Sequence, residues 1–305
     1  MVGKPDKALL DYVARFSYIP DPDANEPLEV IREKSTEVRR SLVGRHNDKV
    51  TIVDTDFGRR FTPETIKGGP RKLILYIHGG GWRNCNVITH SSVMADMAVL
   101  SEREVFGLSY PLAPEQTHPA AIDAVCAKIE KIAAEEKCEI ALAGDSAGAN
   151  LALAAALRLR DEKKPVRIFA LLLYYGCYRR LYDTRSHNAY GDGSNGLATA
   201  WMRDLWNFYL PDDVDPAYAD LTEAEMWNLP PVYLCEAECD CLADDSRWLA
   251  GKLMEAGVKH YYDVYEGAVH GFIHFSQYYD PSYKALGSAG RFLAMLDDQE
   301  RMLQP

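Results

Sequence analysis

A serine between glycines is the first feature of this 305-residue chain that could do chemistry. Residues 144–148 read GDSAG, after the apolar run Ile140–Ala143 and before the helical run Ala149–Leu159. A serine on such a strand-to-helix turn holds its hydroxyl above the sheet, and the helix directs free N–H groups and its positive dipole end at the same point. The motif therefore predicts Ser146 as a nucleophile, and the alternative is a glycine-rich turn without chemistry.

Three consecutive glycines follow another apolar run. Residues 78–81 read HGGG directly after LILYI, and glycines let the backbone come close to a bound group. Their N–H groups can donate to the oxygen that becomes negative when a serine attacks a carbonyl, and each such donor contributes about 2.7–4 kcal/mol in the transition state. We expect the donors to be Gly80, Gly81 and Ala147, the residue after the nucleophile. His78 is predicted to be a structural hydrogen-bonding residue rather than a base.

Eight histidines are available to activate the serine, which is a poor nucleophile until a base takes its proton. His270 lies in the loop YEGAVHGF, five residues after a predicted strand that ends at Tyr265. Loops after late strands lie at the same sheet edge as the nucleophile turn. His270 is therefore the predicted base. Its rival is His274, four residues further on in an aromatic run that indicates packing.

An acid that orients the histidine is expected between the serine and the histidine in chain order. The predicted strand in VYLCEAE is followed by CDCLADD, which places Asp240 at its carboxyl end. We assign Asp240 as this acid, with Glu236 and Glu238 as fallback acids. The next two acids, Asp244 and Asp245, are expected to start the following helix, because carboxylates stabilise a helix N-terminus.

Short apolar runs of strand character alternate with helical patterns along most of the chain. Several runs are continuous, as in a sheet buried on both faces, and the alternation predicts an α/β fold with a mostly parallel central sheet flanked by helices. The predicted strands are Val50–Val53, Leu73–Ile77, Val105–Ser109, Ile140–Ala143, Ile168–Tyr174, Val232–Cys235 and Tyr261–Tyr265. The predicted helices are 26–45, Ser91–Ser101, Pro119–Glu136, Ala147–Asp161, Ser246–Ala256 and Tyr283–Asp297.

Residues 177–228 interrupt this alternation. The segment holds eight Tyr and Trp side chains among 52 residues. This composition predicts a helical insertion that forms a lid over a site. The alternative is an insertion that packs on the domain for stability.

The charge balance limits the partners of the protein. Lys and Arg number 34 and Asp and Glu 45, so the formal net charge is −11. A surplus of acid disfavours nucleic acid and anionic membrane surfaces, because both attract basic residues. The longest strongly apolar run, Ile168–Tyr175, is shorter than the ~20 residues of a membrane span, and the first residues show no secretory pattern. We therefore expect a cytoplasmic protein and leave a homo-oligomer open.

The seven cysteines, an odd number, argue against a disulfide framework. Cys239 and Cys241 are separated by one residue, whereas paired zinc ligands usually have about two to four residues between them. We interpret the two cysteines as small apolar residues at a strand end, with zinc as the alternative. No metal or organic cofactor is predicted.

Taken together, these motifs resemble the hormone-sensitive-lipase-like branch of the α/β-hydrolases, and within it the bacterial acetyl esterases. The segments that carry the resemblance are HGGGW (78–82), SYPLAPE (109–115), HPAAIDA (118–124), GDSAGANLALAAAL (144–157), LLLYYGCY (171–178), ECDCLADDS (238–246) and YEGAVHGF (265–272). The resemblance implies an α/β-hydrolase fold with a helical cap. It implies a catalytic triad and an oxyanion hole at the residues already singled out: Ser146, Asp240 and His270, with Gly80, Gly81 and Ala147.

The resemblance also implies how the chain is divided. We expect residues 1–48 and 177–228 to form the cap, and residues 49–176 and 229–305 to form one catalytic unit. Four aromatic residues are predicted to line the substrate pocket: Trp82, Tyr175, Trp206 and Tyr209.

The implied activity is that of a serine carboxylesterase for a small-molecule ester. Short acyl groups are expected, acetyl first, on a small or carbohydrate alcohol, with hydrolysis through an acyl-enzyme. The chain departs from the family pattern at Cys85, Pro111 and Cys241, and these departures concern the substrate rather than the mechanism. The alternatives are an amidase or formamidase with the same triad, a lipase for long chains, and a binding protein on an inactive hydrolase scaffold.

Overall fold

One sheet organises the part of the chain that the computed structural model describes, which is residues 3–18, 26–66, 68 and 71–303. Its eight strands lie in the order β1-β2-β4-β3-β5-β6-β7-β8. The strands are β1 (Val50–Thr55), β2 (Gly58–Pro63), β3 (Lys72–Ile77), β4 (Val105–Leu108), β5 (Glu139–Asp145), β6 (Ile168–Tyr174), β7 (Val232–Ala237) and β8 (His260–Tyr265). Strand β2 is antiparallel to β1 and to β4, and the other neighbouring pairs are parallel. The predicted α/β-hydrolase fold with a mostly parallel sheet is confirmed.

The helices pack on both faces of this sheet. In the described residues they are α1 (Lys7–Arg15), α2 (Leu28–Arg40), α3 (Ser91–Ser101), α4 (Ala120–Glu136), α5 (Ala147–Asp161), α6 (Arg185–Tyr190), α7 (Thr199–Tyr209), α8 (Ala243–Glu255) and α9 (Asp280–Leu303). Helices α6 and α7 lie within the predicted insertion. None of the described helices combines the length and the apolar composition needed to cross a bilayer.

Alternate side chains of the central strands enter two separate cores. In β3, Leu73, Leu75 and Ile77 pack with residues of α4, α5 and α8. The intervening Ile74 and Tyr76 pack with residues of α3 and α9. Successive side chains of a strand point to opposite faces, so both faces of the sheet are covered and its strands are almost continuously apolar.

The sequence patterns missed strand β2 and helix α1. They also misplaced several helix ends: α8 begins at Ala243 rather than Ser246, and α9 spans Asp280–Leu303 rather than Tyr283–Asp297. Strand β2 was not predicted, because Arg59 and Arg60 hide its apolar signal and Phe61 alone is fully buried near its centre. The helix predicted over residues 26–45 ends at Arg40. Beyond it Gly44 approaches α3 so closely that a Cβ there would lie 2.6 Å from the Ser92 carbonyl oxygen.

Parallel strands end at one edge of the sheet, and this edge collects the predicted chemistry. The HGGG segment follows β3, Ser146 follows β5, Asp240 follows β7, and His270 follows β8. Residues far apart in the sequence therefore meet there.

Candidate active site

Ser146 occupies a sharp turn between β5 and α5. Its backbone has φ 54° and ψ −124°, a left-handed φ that few residues other than glycine adopt. The glycine two residues later is needed for close approach, because a Cβ at Gly148 would overlap the carbonyl oxygen of Ile77 at the end of β3. The turn thus holds the serine beside the segment that follows β3, as the GDSAG motif predicts.

The structure brings the three predicted catalytic side chains into one hydrogen-bonded line. Nε2 of His270 lies 2.9 Å from Oγ of Ser146, and Nδ1 lies 2.6 Å from Oδ2 of Asp240. The Asp240 side chain is fully buried, and its second oxygen accepts from the N–H of Leu242 at 3.0 Å. The serine hydroxyl can therefore donate to Nε2 of the histidine while the carboxylate fixes the protonated Nδ1.

The rival residues lie elsewhere. His274 is buried with Nε2 3.7 Å from Asp145, and burial together with the neighbouring His90 lowers its pKa to about 3. Glu236 accepts from Arg247 and from the Tyr262 hydroxyl. Glu238, the other fallback acid, accepts from the N–H of Gly267 at 2.9 Å. Asp244 and Asp245 stand in the first turn of α8, where the sequence analysis expected them.

The HGGG segment presents backbone N–H groups beside Ser146. Gly80 and Gly81 have φ of 111° and 62°, values open to glycine. Within the described residues, the N–H groups of Gly80, Gly81 and Ala147 have no hydrogen-bond acceptor. The carbonyl oxygen of Gly80 accepts from the N–H of Asn84 at 2.9 Å, which closes the loop on itself.

His78 is a structural part of this loop. Its ring stacks on Tyr110 with centroids 4.3 Å apart, and the Tyr110 hydroxyl donates to the His78 carbonyl oxygen at 2.8 Å. Burial, with the neighbouring His90, lowers the pKa of His78 to about 3. The ring therefore stays neutral near pH 7.

The four predicted pocket aromatics form two groups. Trp82 stacks face to face on Tyr209 at 4.3 Å, and Trp206 lies 4.6 Å from Trp82. All three are fully buried, so these rings cover each other and form a packed wall. Tyr175 stands apart, edge-on to His270 with ring centroids 5.0 Å apart. Its buried hydroxyl has no partner within the described part of the chain.

Two segments outside the central sheet contact the loops of the site. On α2, Arg32 donates to the carbonyl oxygens of Arg83 and Ala113, each at 2.8 Å. At the start of α6, Ser186 donates to the Cys241 carbonyl oxygen at 2.7 Å. Sequence reasoning missed both anchors, since an arginine and a serine in polar helices carry no signal of their distant partners.

One group of described residues brings together three side chains that could hold a metal ion. His90, Asp145 and His274 are buried, and their ligand atoms lie within 4.8 Å of one another. The Asp145 carboxylate, however, already accepts from the Tyr76 hydroxyl at 2.8 Å and the Gly79 N–H at 3.0 Å. Hydrogen bonding is therefore the better account of this group.

Known proteins resemble this chain in sequence and in structure. The sequence profile of the alpha/beta hydrolase fold family matches residues 74–274. An acetyl esterase of Salmonella typhi is 35% identical over 258 residues, which are 80% of this chain and 79% of that protein. An acetyl esterase of Salmonella choleraesuis is 36% identical with the same coverage.

Solved structures agree with these sequence matches. An alpha/beta hydrolase enzyme from the metagenome of Lake Arreo superposes with a TM-score of 0.81 at 26% identity, covering 93% of this chain and 94% of that one. A hyperthermophilic esterase from the archaeon Pyrobaculum calidifontis gives a TM-score of 0.81 at 25% identity, covering 96% and 99%.

Proposed function

Because this chain belongs to the α/β-hydrolase family and is a carboxylic ester hydrolase, we propose that it is a serine esterase that cleaves short acyl esters through an acyl-enzyme. Membership confirms the resemblance seen in its motifs. The observation that carries the proposal is the position of His270, which lies within hydrogen-bond distance of both Ser146 and Asp240. A base must reach the proton it removes before its pKa matters.

The proposed reaction has two halves. Nε2 of His270 takes the Ser146 proton as Oγ bonds to the ester carbonyl carbon, and the carbonyl oxygen becomes an oxyanion. The tetrahedral intermediate then expels the alcohol, which receives the proton from His270. Water repeats the sequence on the acyl-enzyme and releases the carboxylic acid and free serine. Asp240 stabilises the protonated imidazole and holds its orientation.

Three backbone N–H groups, which have no acceptor in the described part of the chain, are the proposed oxyanion donors. Those of Gly80, Gly81 and Ala147 lie on the two segments that meet at Ser146. Preorganised backbone donors need no rearrangement as charge develops, and this is why they contribute more to the transition state than to the bound ester.

Acetyl is the proposed acyl group. The support is the relationship to bacterial acetyl esterases together with the rigid wall of Trp82, Trp206 and Tyr209 next to the proposed oxyanion hole. Tyr175 is proposed to contact the substrate, because its ring adjoins His270 and its hydroxyl has no hydrogen-bond partner among the described residues. For the alcohol we propose an acetylated carbohydrate. The stacked wall leaves its three rings no open face for a sugar, and the Tyr175 ring is equally buried, so the carbohydrate proposal does not rest on aromatic stacking by these four residues.

The division into a cap and a catalytic unit is also a proposal. Residues 1–48 and 177–228 would form the cap around the unit made by 49–176 and 229–305. The contacts of Arg32 with the loop after HGGG, and of Ser186 with the loop that holds Asp240, support it. Residues 1–2, 19–25, 67, 69–70 and 304–305 of this division lie outside the described residues. We further propose a cytoplasmic location, consistent with seven free thiols.

The test compares two buried serines. Ser146→Ala is expected to fold and to lose turnover of aryl acetate and labelling by a serine-directed phosphonate. Ser101→Ala is the matched control: its Oγ donates within α3, to the Met97 carbonyl oxygen at 2.6 Å, and its activity should stay close to that of the unmodified protein. Substantial turnover by the Ser146→Ala variant would contradict the mechanism.

Substrate class needs its own panel. Nitrophenyl esters of increasing chain length should give their highest kcat/KM at acetate or butyrate, and a maximum at octanoate or longer would refute the short-acyl proposal. Turnover of acetylated sugars, compared with that of simple aryl acetates, tests whether the alcohol part of the substrate is a carbohydrate. Aryl amides and formylated aromatic amines in the same panel would reveal an amidase or formamidase.

A further inference from the structure

A buried carboxylate that the proposed reaction does not use lies directly behind the nucleophile. Asp145 precedes Ser146 in the chain and is almost fully buried. We infer that Asp145 is a positioning residue, which locks the HGGG loop against the nucleophile turn so that the oxyanion donors point at the reacting carbonyl. This inference rests on the proposed esterase mechanism.

The carboxylate joins four parts of the fold. It accepts from the Tyr76 hydroxyl on β3 at 2.8 Å and from the N–H of Gly79 at 3.0 Å. Nε2 of His90, which precedes α3, lies 3.2 Å away. Nε2 of His274, in the turn Phe272–Phe275 after the proposed base, lies 3.7 Å away. The segments that carry the nucleophile, the oxyanion donors and the base therefore share one anchor.

The hydrogen bond from the Gly79 N–H to the Asp145 carboxylate is the contact through which Asp145 affects catalysis. Peptide units are planar, so fixing the N–H of Gly79 fixes the plane from which Gly80 and Gly81 continue. The first glycine of the triplet also makes room for the anchor, since a Cβ at Gly79 would lie 2.6 Å from Oδ2 of Asp145. Glycine is thus required at position 79 by the contact with Asp145, and at Gly80 and Gly81 by their positive φ.

Charge strengthens this anchor. Burial alone would raise the pKa of the Asp145 carboxyl, but the imidazoles of His90 and His274 beside it hold this pKa well below its usual range. The group is therefore a carboxylate near pH 7. Hydrogen bonds to an ionised acceptor are roughly twice as strong as those between neutral groups.

The test is Asp145→Asn, with Asp96→Asn as the matched control. Asp96 is also fully buried and accepts from the N–H groups of Arg45 and His46 at 3.1 and 2.8 Å and from the Ser276 hydroxyl. Among the described residues it bonds neither the HGGG loop nor the nucleophile turn, and it reaches the segment of the base only at Ser276, after the turn that holds His274. Both variants are expected to lose stability. Asp145→Asn alone should lower kcat, by about 100-fold, which is the low end of the loss of one oxyanion donor, with KM changed less than about threefold.

Two further readouts separate positioning from general damage. Affinity for a boronate, which binds Ser146 as a tetrahedral adduct, should fall in parallel with kcat. The pH midpoint of kcat/KM should stay at its original value, because Asp145 does not titrate in that range. An Asp145→Asn variant with kcat within about threefold of the unmodified enzyme, or with a loss matched by Asp96→Asn, would overturn the inference. Loss of activity on EDTA treatment would overturn it too, in favour of a metal at His90, Asp145 and His274.

Tyr76→Phe keeps the inference falsifiable if Asp145→Asn does not fold. It removes one donor from the same carboxylate and is expected to lower kcat by about fivefold with KM retained, since a hydrogen bond to a charged group contributes about 1.5–3 kcal/mol in full and part of the anchor remains. An unchanged kcat would overturn the positioning role. Ser146→Ala separates a failure of the proposed esterase mechanism from a failure of the positioning role. Turnover by Ser146→Ala would contradict the esterase mechanism itself. An inactive Ser146→Ala together with a fully active Tyr76→Phe would contradict only the positioning role of Asp145.

Discussion

The fit between α7 and the HGGG loop can be tested by one pair of substitutions. A Cβ added at Gly81 would lie 2.5 Å from Cδ1 of Leu205, the end of a flexible side chain on α7. A Cβ added at Gly80 would overlap the backbone carbonyl oxygen of Asn84, which cannot move without opening the loop. Leu205→Ala should therefore rescue Gly81→Ala and leave Gly80→Ala as damaged as before.

The magnitude follows from two separate terms. An alanine in the left-handed region costs about 1–2 kcal/mol, and Gly81 has φ 62°. Overpacking against Leu205 adds about 1–3 kcal/mol. Leu205→Ala removes the second term and keeps the first. Since each 1.36 kcal/mol of transition-state stabilisation is tenfold in rate, the rescue of kcat/KM is expected to be about 5- to 150-fold.

The assay is a double-mutant cycle on kcat/KM for an aryl acetate, with the folded fraction of each variant measured by circular dichroism. Leu205→Ala alone supplies the baseline, because truncating this partly buried side chain has its own effect. Additive losses for the Gly81 pair would refute the steric reasoning. Equal rescue of Gly80→Ala would refute it as well, since that loop position clashes with backbone.

Three further outcomes are expected. Asp240→Asn should lower kcat by about 10⁴-fold with the fold intact, by analogy with the loss of the orienting acid in other triads, and a loss below tenfold in steady-state kinetics would exclude the orienting role. Trp206→Ala should lower the free energy of unfolding, measured by urea titration, by about 3–5 kcal/mol. Trp201 is half-exposed, so Trp201→Ala should lower it by less than about 0.5 kcal/mol. Equal effects of the two substitutions would contradict the packed wall. His274 protonates near pH 6.5 when unfolded and near 3 when folded, so the unfolded state takes up more protons as the pH falls and stability is lost. Between pH 6.5 and 5 this loss is about 2 kcal/mol, and it should be missing from His274→Gln; the same pH slope in both proteins would reject it.

The local parts of the site could be predicted from the sequence. GDSAG and HGGG are contiguous motifs whose geometry depends on neighbouring residues, and they indicated Ser146, Gly80 and Gly81 directly. Chain order and position after a late strand favoured Asp240, with Glu236 and Glu238 left as fallback acids, and the contact with His270 distinguishes Asp240 from them. Chain order and sheet topology carry this information because parallel strands end at one edge.

Distant packing could not be predicted in the same way. The aromatic residues of the insertion indicated a pocket. The face-to-face stacking of Trp82 on Tyr209, however, depends on where helix α7 packs against the HGGG loop. The two arginines of β2 concealed a strand that is defined by its partners β1 and β4. Asp145 occupies the variable position of the GDSAG motif, and its importance emerges only from contacts with residues up to 129 positions away in the sequence, such as His274.

The distribution of the site over the chain has a consequence for how the protein folds. Ser146 and His270, which share a hydrogen bond, are 124 residues apart, and Asp145 and Gly79 are 66 apart. Contacts between remote parts of a chain form slowly, because the entropy of closing long loops must be overcome before such contacts stabilise anything. Helical structure should therefore return early during refolding, while ester hydrolysis returns with the final ordering of the sheet edge. Catalytic turnover is thus a more stringent reporter of the native state than any measurement of secondary structure.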